Sequence, residues 1–145
     1  MAFNSIYEIA GSGMQAQTVR LNTVASNLAN AGSASGTEED AYKSMKPVFA
    51  SLYSRLDPEP GQGRGQVAGA SVTIQDIVES DNPVDRRYEP GNPLSNDEGY
   101  VFYSNVKVVE EMADMMSASR SFQTSVDVIS RASSMQQNLL RLGQS

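Results

Sequence analysis

Apolar residues near the start of the chain recur in alternating steps of four and three. They are Phe3, Tyr7, Ala10, Met14, Gln17, Leu21, Val24, Leu28 and Ala31, with Gln17 the clearly polar member. That spacing holds a stripe on one side of an α-helix and is the seam of a coiled coil. It predicts a helix of about 40 Å, at about 1.5 Å per residue. Gly11 and Gly13 weaken this helix, and Asn30 with Gly32 supplies its stop. Near the other end Val108, Met112, Met115, Ser119, Phe122, Val126 and Ile129 repeat the spacing. Ser104 or Asn105 is the expected N-cap, and Glu110 and Glu111 suit the positive end of the helix dipole. After Ile129 the register slips by a three-residue step to Ala132, Met135, Leu139 and Leu142, and Gly143 ends the helix.

The middle of the chain loses this period. Gly32 to Asp40 is a linker of small and acidic residues, and Asp57 to Gly69 is crowded with Pro and Gly, so neither is expected to be ordered by itself. Strand signals run over Pro47 to Tyr53, Ala70 to Ser80 and Tyr100 to Tyr103, which predicts a hairpin or small sheet. Tyr88 to Leu94 is expected to be a turn-rich extended connector. The fold expected is therefore mainly α. Long N- and C-terminal helices, residues 1–35 and 105–145, pack as a coiled-coil-like pair, and residues 36–104 form a small β-hairpin or extended middle.

Composition sharpens this picture mainly by exclusion. Only 39% of the 145 residues are apolar and Trp is absent, so the core must be thin. Without Cys there is no disulfide framework or thiolate metal site, and without His the commonest general base near neutral pH is missing. No run of 18 apolar residues exists to span a membrane. The first basic residue is Arg20, too late for the basic start of a secretory signal, so export by such a signal is not expected. Net charge is −6. Glu8 and Arg20 cancel before Gly32, and the basic and acidic residues from Asn105 onward also cancel, so the excess lies in the middle. That leaves no basic footprint for nucleic acid, and it suits a molecule whose neutral ends are buried against neighbours.

Chemical motifs are weak by comparison. Gly63 to Ala68 loosely matches a dinucleotide fingerprint but follows Pro60 and opens no helix, so a loop explains it better. The acid pairs Glu38-Glu39, Asp97-Glu98 and Glu110-Glu111 are adjacent in sequence, whereas glycoside hydrolysis needs carboxylates facing across a cleft. Asn92, Asn96, Asp97 and Gly99 lack calcium-loop spacing. No catalytic, cofactor-binding or metal-ligating residues are expected. The stripes themselves carry the functional expectation. A two-helix hairpin buries one side of each helix, yet Ile6, Ile9, Val109, Met116, Val128 and Leu140 lie off the seams and need a partner.

Leu21-Asn22-Thr23-Val24-Ala25-Ser26-Asn27-Leu28-Ala29-Asn30 resembles the N-terminal signature of the bacterial flagellar axial proteins, the family that builds rod, hook and hook-filament junction. Tyr88-Glu89-Pro90-Gly91-Asn92-Pro93-Leu94, Gly99-Tyr100-Val101, Asn105-Val106 and Met116 to Gln123 look like its proximal-rod members, while Gly36 to Gly69 matches least well. The resemblance implies a structural subunit of the basal-body rod within the periplasm, exported by the flagellar type III apparatus and transmitting torque as part of a drive shaft. Implied partners are the rod proteins FlgB, FlgF and FlgG, the adaptor FliE, and copies of the chain itself. On this reading the subunit-packing seam is Phe3, Tyr7, Met14, Leu21, Val24, Leu28, Val108, Met112, Met115, Phe122, Val126, Ile129 and Leu139. Asn27 and Asn30 satisfy polar groups at the helix end, and Tyr88, Pro90, Gly91, Asn92, Pro93 and Leu94 form the connector between subunits. The competing readings are another rod or hook-junction subunit, or a type III secreted helical protein or export chaperone.

Overall fold

The structure is a computed structural model, and it describes residues 2–55 and 67–143. Two long helices, α1 (Ala2–Ala29) and α2 (Val108–Leu142), enclose five strands in the sequence: β1 (Ala34–Ser35), β2 (Met45–Arg55), β3 (Val67–Glu79), β4 (Asp85–Tyr88) and β5 (Tyr100–Tyr103). β1, β5 and β4 form an antiparallel sheet in that spatial order, and β2 pairs with β3 in a separate two-stranded sheet. The expected class, long terminal helices packed together around small sheets, is the observed one.

The chain divides into two compact units. One gathers α1 up to Thr18, β2 from Phe49, β3 up to Gln75 and α2 from Ala118; the other gathers residues 19–48 and 76–117. Within each unit the helices run antiparallel. In the first, Tyr7 reaches Gln136 at 3.5 Å and Gly13 lies against Ser125. In the second, Arg20 pairs with Asp114 at 2.6 Å and Asn27 meets Glu111.

Small side chains make this approach possible. Among the described residues the buried apolar ones of the first unit are Ala10, Ala16, Ala118 and Ala132; those of the second are Val24, Ala41 and Val101. Alanine loses no rotamer freedom in a helix and lets backbones come close, but each one removes little apolar area from water. The core is thin, as the composition implies.

Local chemistry corrects several boundaries. Neither Ser104 nor Asn105 caps α2: Glu111 N donates to Lys107 O at the helix start, while Ser104 Oγ accepts from Val106 N. Asn105 instead accepts from Ser44 N and donates to Asn82 O, tying together two strand ends. The linker from Gly32 to Asp40 contains β1, paired through Ala34 with Tyr103 and Ser35 with Phe102. Tyr88 is the last residue of a strand rather than the first of a connector; the turns come after it, held by Asn92 N on Glu89 O and Ser95 N on Asn92 O. Residues 57–66, which include most of the Pro- and Gly-rich stretch and most of the fingerprint-like Gly63 to Ala68, lie outside the described residues, and Val67 to Gly69 open β3.

Candidate functional site

The C-terminal end of α1 is built around one amide. Asn27 is 0% exposed, and each polar atom of its side chain is used twice. Nδ2 donates to Met45 O at 2.8 Å and to Glu111 Oε2 at 3.0 Å, while Oδ1 accepts from Met45 N at 2.9 Å and from the Tyr42 hydroxyl at 3.0 Å. An amide has two donors and an acceptor with two lone pairs, so its capacity is filled. Asn27 therefore joins α1 to the start of β2 and to the first turn of α2. The buried Glu111 carboxylate also benefits from the free N–H groups and positive dipole end of that turn. Asn30 acts more locally, donating from Nδ2 to Ser26 O.

The α2 face turned inward differs by one residue from the expected seam. Glu111, Ala118 and Ala132 are buried, and Met115, Phe122, Ser125 and Ile129 are half-buried, giving steps of four and three from Glu111. The sequence pattern therefore shares Met115, Phe122 and Ile129 with this inner face. Val108, Met112, Val126 and Leu139 of the expected seam are exposed beside it. On α1, Val24 is buried and Tyr7, Met14, Leu21 and Leu28 are half-buried; the Phe3 side chain lies outside the description. Met135, Leu139 and Leu142 form a further exposed row near the end of α2, at 57%, 53% and 73% exposure. In the connector Tyr88, Pro90, Gly91, Pro93 and Leu94 are exposed and Asn92 is half-buried, with its Nδ2 on Glu89 Oε2.

Sequence reasoning missed the partners more than the anchors. Glu111 looks like an ordinary first-turn acid, and Tyr42 falls in a stretch with no periodic signal. The available hint was an uncharged polar residue, Asn27, next to the seam residue Leu28. Gln17 is the opposite case: its Oε1 is shut away from water with no hydrogen-bond partner among the described residues.

Around β4 and β5 the electrostatics are local. Tyr103 donates to Glu89, and this hydrogen bond, followed by burial and the Glu89 charge, raises its phenol pKa above the usual value. Asp85 accepts from Arg87 within the same strand, which raises the guanidinium pKa further. Arg86 stacks over the Tyr100 ring at 4.3 Å and Arg87 over Tyr103 at 4.8 Å.

The described residues thus combine a thin, alanine-rich core, a hydrogen-bonded clasp at the helix ends and rows of exposed apolar side chains along α2. Two family patterns match the chain. Residues 8–32 match the one described as flagella basal body rod protein, and residues 97–142 match the C-terminal region of the flagellar basal body rod FlgEFG proteins. The class is therefore that of the flagellar basal-body rod proteins. Among individual proteins, the chain is 46% identical over 144 residues to the flagellar basal-body rod protein FlgC of Salmonella typhimurium, covering 99% of this chain and 100% of that one. It is 44% identical, with the same coverage, to FlgC of Escherichia coli O157:H7. With FlgC of Agrobacterium fabrum it shares 38% identity over 123 residues, 84% of this chain and 81% of the relative. The chain belongs to the FlgC family, and it is a non-enzymatic structural subunit of the flagellar basal-body rod, assembling with other rod components.

Proposed function

We propose that the chain builds the proximal part of the rod and passes torque along it through helix-to-helix packing. The observation that carries this reading is the set of apolar residues the fold leaves bare: Val108, Met112, Val126, Met135, Leu139 and Leu142 all stand exposed on α2. Burying such a side chain fully is worth about 1.5–3 kcal/mol, so a shaft of many copies gains stiffness from many modest contacts. The helical segments 1–35 and 105–145 form the axial core in this proposal, and 36–104 forms the part facing outward from it. Phe3, Tyr7, Met14, Leu21, Val24, Leu28, Val108, Met112, Met115, Phe122, Val126, Ile129 and Leu139 carry packing within and between subunits. Tyr88 to Leu94 lies between neighbouring subunits.

Partners under this reading are FlgB, FlgF, FlgG and FliE, together with copies of the chain, after passage through the flagellar type III export apparatus. The test is Leu28→Asp, with secretion and motility measured together. The expected result is a chain that is still exported but absent from isolated basal bodies, in non-motile cells. Normal swimming would remove Leu28 from the packing seam.

A further inference from the structure

Oxidisable side chains in this protein are few in kind and uneven in placement. The chain has seven Met but no Cys, Trp or His. Methionine sulfur is therefore the group that a mild peroxide attacks, with no thiol to compete for it. The fold sorts the six methionines among the described residues into two sets. Met14, Met45 and Met115 are half-buried, the last on the face that α2 turns inward. Met112, Met116 and Met135 are 54%, 64% and 57% exposed, and all three stand on α2 off its inner face.

Each of the three belongs to a bare apolar row. Val109, Met112 and Met116 follow at steps of three and four, which stacks them along one side of the helix. Met135, Leu139 and Leu142 do the same near its end. The inner row, from Glu111 through Ala118 to Ala132, contains none of the three, so their polarity can change while that row stays packed. A thioether is apolar and adapts its shape to a neighbour, whereas a sulfoxide is polar and chiral. Oxidation there alters the surface offered to other molecules and leaves the subunit's own core alone.

We propose that Met112, Met116 and Met135 are a modification site: peroxide oxidises them on the unassembled chain and so bars it from the rod. In each step the sulfur attacks one oxygen of hydrogen peroxide. The S–O bond forms as the O–O bond breaks, and the second oxygen leaves as water with the proton of the first. Sulfur loses two electrons and peroxide gains them. A neighbour that covers the rows also covers the sulfurs, so the assembled subunit resists an oxidant to which the free one is open. Sulfoxide reductases reverse the change, so an oxidised subunit is held back rather than lost. This inference rests on the reading that the exposed α2 residues pack against neighbouring subunits.

Peptide mapping by mass spectrometry, after brief hydrogen peroxide treatment of the isolated chain, tests the site. Sulfoxide is expected to form at Met112, Met116 and Met135 about fivefold faster than at Met14, Met45 and Met115. Equal rates overturn the site. The consequence is read in flagellated cells that produce the natural chain together with one carrying Met112→Leu, Met116→Leu and Met135→Leu, which keeps each position apolar. Without peroxide the two chains are expected in isolated basal bodies in proportion to their pools, within about twofold. Peroxide given while new rods are built is expected to shift that ratio about tenfold toward the Leu chain. An unchanged ratio overturns the proposal while leaving the rod-subunit reading intact. Where the Leu chain fails to enter untreated rods, the sulfoxide content of the natural chain in new rods is compared with that of its unassembled pool: depletion in rods supports the proposal, and equal content overturns it. Absence of the natural chain from untreated rods would instead count against the rod reading itself.

Discussion

Asn27 shows how much one side chain can decide. Asn27→Ala leaves the Met45 N–H and C=O without their partner and strips the buried Glu111 carboxylate of its donor. Leaving a buried polar group unmatched costs about 1–3 kcal/mol, more when it is charged. Urea unfolding of the isolated protein is expected to show a loss of about 3 kcal/mol for Asn27→Ala, against under about 1 kcal/mol for Asn30→Ala, whose single bond is exposed. Gln17 should behave in the opposite sense. Its Oε1 is desolvated and unpaired among the described residues, so Gln17→Met is expected to stabilise the same protein by about 1 kcal/mol. Gly99 has φ of +80°, and a Cβ there would lie 2.9 Å from Tyr88 Cε2, which makes this turn intolerant of side chains. Tyr103 adds a pH dependence. Its folded pKa is raised, so the stabilisation is fully present below the usual phenol value of 10.0 and is lost as pH rises through the raised value. Thermal unfolding followed from pH 9 to 11 is expected to show this alkaline loss in the natural protein and a weaker one in Tyr103→Phe.

At the scale of elements, α2 separates folding from assembly. Its inner face uses Glu111, Met115, Ala118, Phe122, Ser125, Ile129 and Ala132, while Met112 and Leu139 stand exposed to solvent. Replacing exposed apolar residues with Gln changes the stability of an isolated chain little, within about 0.5 kcal/mol. Met112→Gln combined with Leu139→Gln is therefore expected to leave urea unfolding almost unchanged and to reduce motility sharply. Equal loss in both measurements would mean that these residues support the subunit fold. The strands were legible to different degrees. Tyr100 to Tyr103 stands out because apolar and aromatic residues sit between turn signals, and it forms β5 with those limits. β4, written Asp-Arg-Arg-Tyr, has no alternating apolar pattern; it is a strand because β5 offers it a ladder.

For the whole molecule, the balance between ordered core and bare surface predicts uneven stability. Ordering a residue costs about 1–2 kcal/mol of backbone entropy, and alanine-lined contacts return little of it. Hydrogen exchange on the isolated chain is expected to be slowest around Val24, Asn27, Val101 and Ala118, which are buried, and fastest in α2 from Met135 onward, where the apolar row is exposed. Uniform protection along α2 would mean that its last turns need no neighbour.

Periodicity alone was enough to place both long helices, because a repeat of four and three has only one regular backbone that keeps it on one side. Composition likewise implied the thin core, and the motif near Asn27 carried the family resemblance. Tertiary structure decided which edge of each stripe turns inward, since neighbouring rows on a helix differ by one residue and look equally apolar in sequence. It also decided that Asn27, Tyr42, Met45 and Glu111 share one network, because hydrogen bonds between residues 15 to 84 positions apart leave no periodic trace in the chain.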